Sequence, residues 1–170
     1  MNESEIIKLM LIELEKRGLI KNNDNTFKNV ELLLYNYNSL KDSIKDREEQ
    51  IKDLKTYGIQ EKSSSITMIA ENVQKQTKNE LIENAIESLN QHIYRTRVFL
   101  RYIEKVIKRL ENDEYYPIIK LKYFKGKSIE QISEIMGKDT STISRNKNRL
   151  INELRPLLLP NDVISNIFNY

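Results

Sequence analysis

Between Val30 and Leu54 the chain counts in sevens. Val30, Tyr37, Ile44 and Ile51 share one heptad position and Leu33, Leu40, Arg47 and Leu54 the other, so seven of the eight seam positions are apolar. A repeat of this kind held over four heptads fits a helix lying along another helix, and it fits no strand. The partner follows, because Ile82, Ile86, Leu89, Ile93, Thr96, Leu100, Ile103, Ile107 and Leu110 alternate spacings of four and three. These periods predict helices over 26–57 and 73–112, the first capped by Thr26 and ended at Tyr57-Gly58. Residues 58–72, with Ser63-Ser64-Ser65 at their centre, carry no sustained period and read as the connecting loop. The pair is expected to close as a long antiparallel coiled-coil hairpin, its arms roughly 48 and 60 Å long, with the second overhanging the first. Ahead of it, Ile6, Ile7, Met10, Leu11 and Leu14 predict a short helix from Ser4 to a stop at Gly18. Arg47 breaks the seam, either as a register device or as a side chain that snorkels out of it.

The composition removes several classes of chemistry. There is no cysteine and His92 is the single histidine, so disulfides, thiol chemistry and a zinc site closed by His and Cys are excluded. Four glycines and three prolines along 170 residues leave no Gly-rich phosphate loop. No apolar run approaches the roughly 20 residues of a membrane span. The start, Met1-Asn2-Glu3-Ser4-Glu5, is acidic where a secretory signal needs base, and a cytoplasmic protein is expected. Glu48-Glu49 and Asp113-Glu114 read as helix-end charge and not as a catalytic pair. His92 reads as a helix-surface residue with no nucleophile placed to use it. Neither catalytic residues, nor a metal, nor a cofactor are expected.

After Asp113 the texture changes. Residues 115–155 hold nine Lys/Arg against four Asp/Glu, although the whole chain carries only +3, so the basic charge is gathered here. Tyr115 to Phe124 predicts one helix, with Pro117 tolerated in its first turn. Lys125-Gly126-Lys127 turns the chain, and Ser128-Ile129-Glu130-Gln131 is a capping box opening the next helix. Ile132 and Met136 point that helix inward, and Gly137 stands where a left-handed residue ends it. Asp139 or Thr140 then caps a last helix through Leu154, with Ile143, Leu150 and Leu154 facing the core. The layout is that of a helix-turn-helix, whose second helix presents its N-terminal half to a DNA groove. Thr140, Ser141, Ser144, Arg145 and Asn148 are the candidate base-reading residues: Arg bonds guanine bidentately, Asn reads adenine and Thr touches a thymine methyl. Lys127, Lys138, Lys147 and Arg149 are the candidate phosphate contacts.

The same residues carry a resemblance. SIEQISEIMG over 128–137, DTSTISR over 139–145 and NELR over 152–155 resemble region 4 of bacterial sigma-70-type factors, which recognises the −35 promoter element, without a gap across 28 residues. IIKLKYFKGK over 118–127 and VELLLYNY over 30–37, with the heptad hairpin between them, resemble the RinA/ArpU-type phage regulators of late transcription. This similarity spans 26–155. It implies a double-stranded DNA-binding regulator, a phage or prophage activator of late genes, with host RNA polymerase as a second partner. Thr140 and Ser141 stand where region 4 usually carries charge, and Asn146 where it carries an apolar residue, so the target sequence does not transfer. No counterpart of the promoter-melting region is present in 1–112.

The resulting expectation is an all-α chain with three parts. Residues 1–112 form a helix and coiled-coil hairpin that dimerises or docks on polymerase. Residues 113–155 form the helix-turn-helix domain. Residues 156–170, Pro156-Leu157-Leu158-Leu159-Pro160 and the apolar positions behind it, form a tail packed on its own domain or across a homodimer interface. Arg97, Arg101, Lys105 and Lys108 make a basic stripe on the second long helix, read as a solvated face or as a surface for DNA phosphate or polymerase. The alternative function is a small terminase-like packaging protein, which also joins a helix-turn-helix to oligomerising helices, usually in the opposite order.

Overall fold

The computed structural model describes residues 2–20, 26–59 and 77–159. Every regular element in them is helical, so the chain is all-α, with no strand among the described residues. The elements are α1 (Glu3–Lys16), α2 (Thr26–Tyr35), α3 (Tyr37–Tyr57), α4 (Lys78–Lys108), α5 (Pro117–Ile119) running into a π-helical segment (Lys120–Phe124), α6 (Ile129–Met136) and α7 (Thr140–Leu158). The expected loop centre at 63–65, the start of the second long helix near Val73 and the tail beyond Leu159 lie outside the described residues.

Local chemistry sets the helix starts. Asn2 caps α1 with Glu5 reaching back, one residue earlier than the expected start at Ser4. Thr77 and Glu80 close the same box on α4. The expected single helix over 26–57 is two, bent at Asn36, where ψ opens to −3° and the side-chain amide donates 2.8 Å back to the Leu32 carbonyl. The heptad pattern runs straight through this bend. Tertiary packing decides it: Tyr35 meets Tyr123 edge-on at 4.7 Å and Tyr37 stacks on Phe124 at 4.4 Å between ring centroids.

The bend divides the labour of the two halves. Helix α3 lies along α4, with Tyr37 donating to Glu104, Arg97 paired with Glu48, and Gly58 beside Ile82, so the two helices run in opposite directions. Helix α1 packs on α4 as well, burying Ile6, Met10, Leu11 and Leu14. Helix α2 instead packs chiefly on α7 and the π-helical segment, so a piece of the N-terminal sequence belongs to the C-terminal packing. One continuous core results, from Leu11 through Phe99 and Ile103 to Ile118, Ile132 and Leu154. It thins away from the bend, where Ile51, Leu54, Ile82, Ile86 and Leu89 are only half-buried. Arg47 donates to the Ser43 carbonyl of its own helix at 2.9 Å, as a snorkelling side chain does.

Helix α7 runs past its expected end at Leu154 to Leu158, through Pro156. A proline there removes the donor for the Asn152 carbonyl, at a point where both residues are exposed. Leu154, Leu158 and Leu159 are buried and the Tyr102 hydroxyl donates to the Leu157 carbonyl, so packing carries the helix over the proline. Among the described residues no helix is long and apolar enough to cross a membrane.

Candidate nucleic-acid interface

The chain enters this region through Gly126, at φ +63°, after which the Lys127 amide donates 2.9 Å to the Leu121 carbonyl. The expected capping box is formed: Ser128 Oγ accepts from the Gln131 amide at 3.2 Å and Gln131 Oε1 accepts from the Ser128 amide at 3.1 Å. Helix α6 buries Ile132 and ends at Gly137, which takes the expected left-handed conformation at φ +63°, ψ +34°. The amides of Gly137 and Lys138 both donate to the Ser133 carbonyl, and Ser133 Oγ donates back to the Lys138 carbonyl at 2.5 Å. A Cβ at Gly137 would meet nothing within 4 Å, so the cost of a side chain there is backbone strain alone. Gly137→Ala is expected to lower the unfolding free energy by about 1 kcal/mol in urea titrations, and Gly137→Asn by less.

Of the two candidate caps for α7 the structure takes Asp139. Its carboxylate accepts from the Thr142 amide at 2.8 Å, from Ser141 Oγ at 2.5 Å and from Thr142 Oγ1 at 2.7 Å. Those hydrogen bonds, Ser141 first, hold its pKa well below the usual carboxylate range. Beyond the cap, α7 buries Ile143, Leu150, Ile151, Leu154 and Leu158 on one side. The opposite side shows Ser141, Arg145, Asn148, Asn152 and Arg155, all exposed and at the spacing of one helical stripe, with no carboxylate among them. Thr140 is exposed at the helix start and Ser144 half-buried on the flank. The candidate base-reading residues therefore share one end of one helix. The Arg145 side chain makes no ion pair or hydrogen bond among the described residues. Asn146 is half-buried and satisfied, donating 3.0 Å to the Thr142 carbonyl and accepting from Arg149 Nε at 3.2 Å.

The candidate phosphate residues are arranged differently from one another. Lys127 is half-buried in the turn. Lys138 is paired with Glu114 at 3.0 Å, an interaction that raises its pKa. Lys147 turns into the fold, where its ammonium lies 2.7 Å from Glu31 and 5.6 Å from the centroid of the Phe27 ring. Arg149 grips Asp113 with two nitrogens, at 2.8 and 3.0 Å, and Glu153 at 2.7 Å. The Arg149 guanidinium is the main cause holding the Asp113 carboxyl below its ordinary value. Three of the four candidates thus meet carboxylates, and the partners Glu31, Asp113 and Glu114 all come from outside the basic stretch 115–155. Sequence reasoning missed these partners. Only the dipeptide Asp113-Glu114 was visible as a charge feature, and Glu31 gave no signal across a separation of 116 residues.

Among the described residues no group of three or more His, Cys, Asp or Glu is placed to hold a metal ion. His92, on α4, is half-buried beside α3 and the end of α1, and desolvation lowers its pKa. No protein-family model, curated protein or solved structure matches this chain.

Proposed function

We propose that this chain is a sequence-specific double-stranded DNA-binding transcription regulator in which α6, the Gly137 turn and α7 act as a helix-turn-helix. In this reading α7 lies in the major groove, Arg145 and Asn148 reach base edges, and Thr140, Ser141 and Ser144 complete the reading surface. The antiparallel α3–α4 pair is then a coiled-coil hairpin, and with α1 it supplies the body for self-association or for docking on RNA polymerase. The resemblance to sigma region 4 and to RinA/ArpU-type regulators supports a phage or prophage late-gene activator. The observation that carries the reading is the outward stripe of α7, polar and cationic, free of carboxylate, and led by an Arg145 whose side chain has no partner among the described residues.

The test is selection of duplexes from a random pool by the purified full chain, followed by anisotropy titrations at several salt concentrations. An enriched motif containing a guanine is expected, bound at least about 10³-fold more tightly than a scrambled duplex. A pool that shows no enrichment after repeated rounds removes the proposal.

A further inference from the structure

Two residues that DNA binding leaves without a task meet in one place. Arg47 stands at a heptad position where every other member of the stripe is apolar, and His92 is the single histidine of the chain. Both line a cleft of about 410 Å³ among the described residues, where α3 and α4 pass the end of α1. Arg17, the C-cap of α1, lines it as well, and Gln50 and Ser88 add further hydrogen-bonding groups. Three helices thus bring two guanidinium groups and an imidazole to one opening.

Neither arginine is used up by the fold. Arg17 donates from Nη2 to Glu13 and Arg47 from Nη1 to the Ser43 carbonyl, and each guanidinium carries several further N–H donors. An anion can therefore be bound without breaking either contact. Charge points the same way. Around His92 and the cleft stand Glu13 and Arg17 from α1, Asp46 and Arg47 from α3, and Arg95 on the same helix as His92, three cations against two acids. Burial does most to lower the His92 pKa; Glu13 opposes it, and Arg95, Arg47 and Arg17 each lower it further. An anion in the cleft offsets those arginines and draws a proton onto the imidazole.

We infer that this cleft is a binding site for a small phosphorylated compound, held by the guanidinium forks of Arg17 and Arg47 and by the His92 imidazole. Arginine forks match the oxygens of a phosphoryl group, and a protonated histidine supplies one more charge-assisted donor. The volume lies at the small end of ligand pockets, which suits one phosphoryl group on a compact carrier. The site goes beyond the DNA-binding reading and does not depend on it. A DNA backbone carries the same oxygens, so the experiment separates the two sources.

Because His92 is the only histidine, its C2 proton reports on the cleft alone in NMR spectra of the full chain. Sodium sulfate serves as a phosphoryl stand-in that does not titrate near neutrality, glycerol phosphate as the ester, and sodium chloride at matched ionic strength as the blank. The His92 signal is expected to shift saturably with millimolar sulfate or glycerol phosphate and not with chloride. Sulfate should bind most tightly where His92 is protonated, and its dissociation constant should rise about threefold as pH increases through the His92 titration. Arg47→Met, which restores an apolar seam, and Arg17→Gln should each weaken sulfate at least about tenfold. Arg101→Gln, at an exposed position of α4 outside the cleft, should change binding less than about twofold. Melting temperatures in chloride check that the variants are folded, and Arg17→Gln decides the matter if Arg47→Met does not fold.

A shift no larger than that in chloride, a shift that survives both Arg47→Met and Arg17→Gln, or an equal loss from Arg101→Gln each overturns the inference. An affinity that stays flat across the titration overturns the part given to His92. A random-sequence duplex that moves the His92 signal through Arg17 and Arg47, when sulfate and glycerol phosphate do not, assigns the cleft to the DNA backbone and overturns the small-compound site. None of these outcomes bears on whether α7 reads bases.

Discussion

Glu31→Ala is expected to lower the unfolding free energy by about 2 kcal/mol, a large loss for one carboxylate on a short helix. One oxygen of Glu31 accepts from the Tyr123 hydroxyl and from the Lys147 ammonium, both at 2.7 Å. The side chains of Lys147 and Glu31 are 17% and 21% exposed, so water screens this pair poorly. Tyr123 is 3% exposed, and its burial, more than any other cause, pushes its pKa up. Taking Glu31 away leaves a poorly hydrated ammonium and a buried hydroxyl without their acceptor. That penalty, and not the Coulomb attraction alone, is what the measurement reads. Glu31→Gln retains an acceptor for Tyr123 and should cost roughly half as much. Glu31→Ala combined with Lys147→Met should cost less than the sum of the single changes, because the second removes the stranded charge. Urea unfolding of the wild type, the three single variants (Lys147→Met included) and the double variant measures all of this. A Glu31→Ala variant within about 0.5 kcal/mol of wild type would show that α2 is held to α7 by apolar contact alone.

The placement of α2 marks the border between what the sequence made legible and what it did not. Local chemistry was readable: the Ser128 and Gln131 box, the left-handed Gly137 and the Asp139 cap each depend on residues within a few positions of one another. The apolar stripes were readable as well, since Leu40, Ile44, Ile93, Leu100 and Ile103 are all buried. Features decided by distant partners were not. The bend at Asn36 leaves the heptad count intact and depends on Tyr123 and Phe124, more than 80 residues on. Helix α7 crosses Pro156 because buried leucines and Tyr102 hold its last turn, which outweighs the local preference to stop. Charge was the least legible quantity. The excess of Lys and Arg in 115–155 is real along the chain, but in space Lys138, Lys147 and Arg149 are matched by acids from elsewhere. Among the described residues, the α7 cations without an ion pair are Arg145 and, a few turns on, Arg155.

Arg145→Ala is therefore expected to have the largest effect on recognition. A guanidinium that bonds two acceptors of one guanine discriminates against other bases by about 1–3 kcal/mol, so affinity for the selected duplex should fall by roughly 5- to 150-fold. Stability should not change measurably, because Arg145 is exposed and makes no ion pair among the described residues. On random duplex the same variant loses at most one phosphate contact, a much smaller effect that shrinks as salt rises. Arg145→Lys separates charge from geometry. It keeps the cation and should bind random duplex as the wild type does, but it lacks the planar fork and should recover little of the selected-site affinity. The two substitutions together make the prediction specific to base reading. If Arg145→Lys restores both duplexes equally, Arg145 serves as a phosphate contact. If Arg145→Ala weakens both duplexes by the same factor, α7 does not read bases through this residue, and the reading surface must be sought among Asn148, Asn152 and Arg155 further along the same stripe.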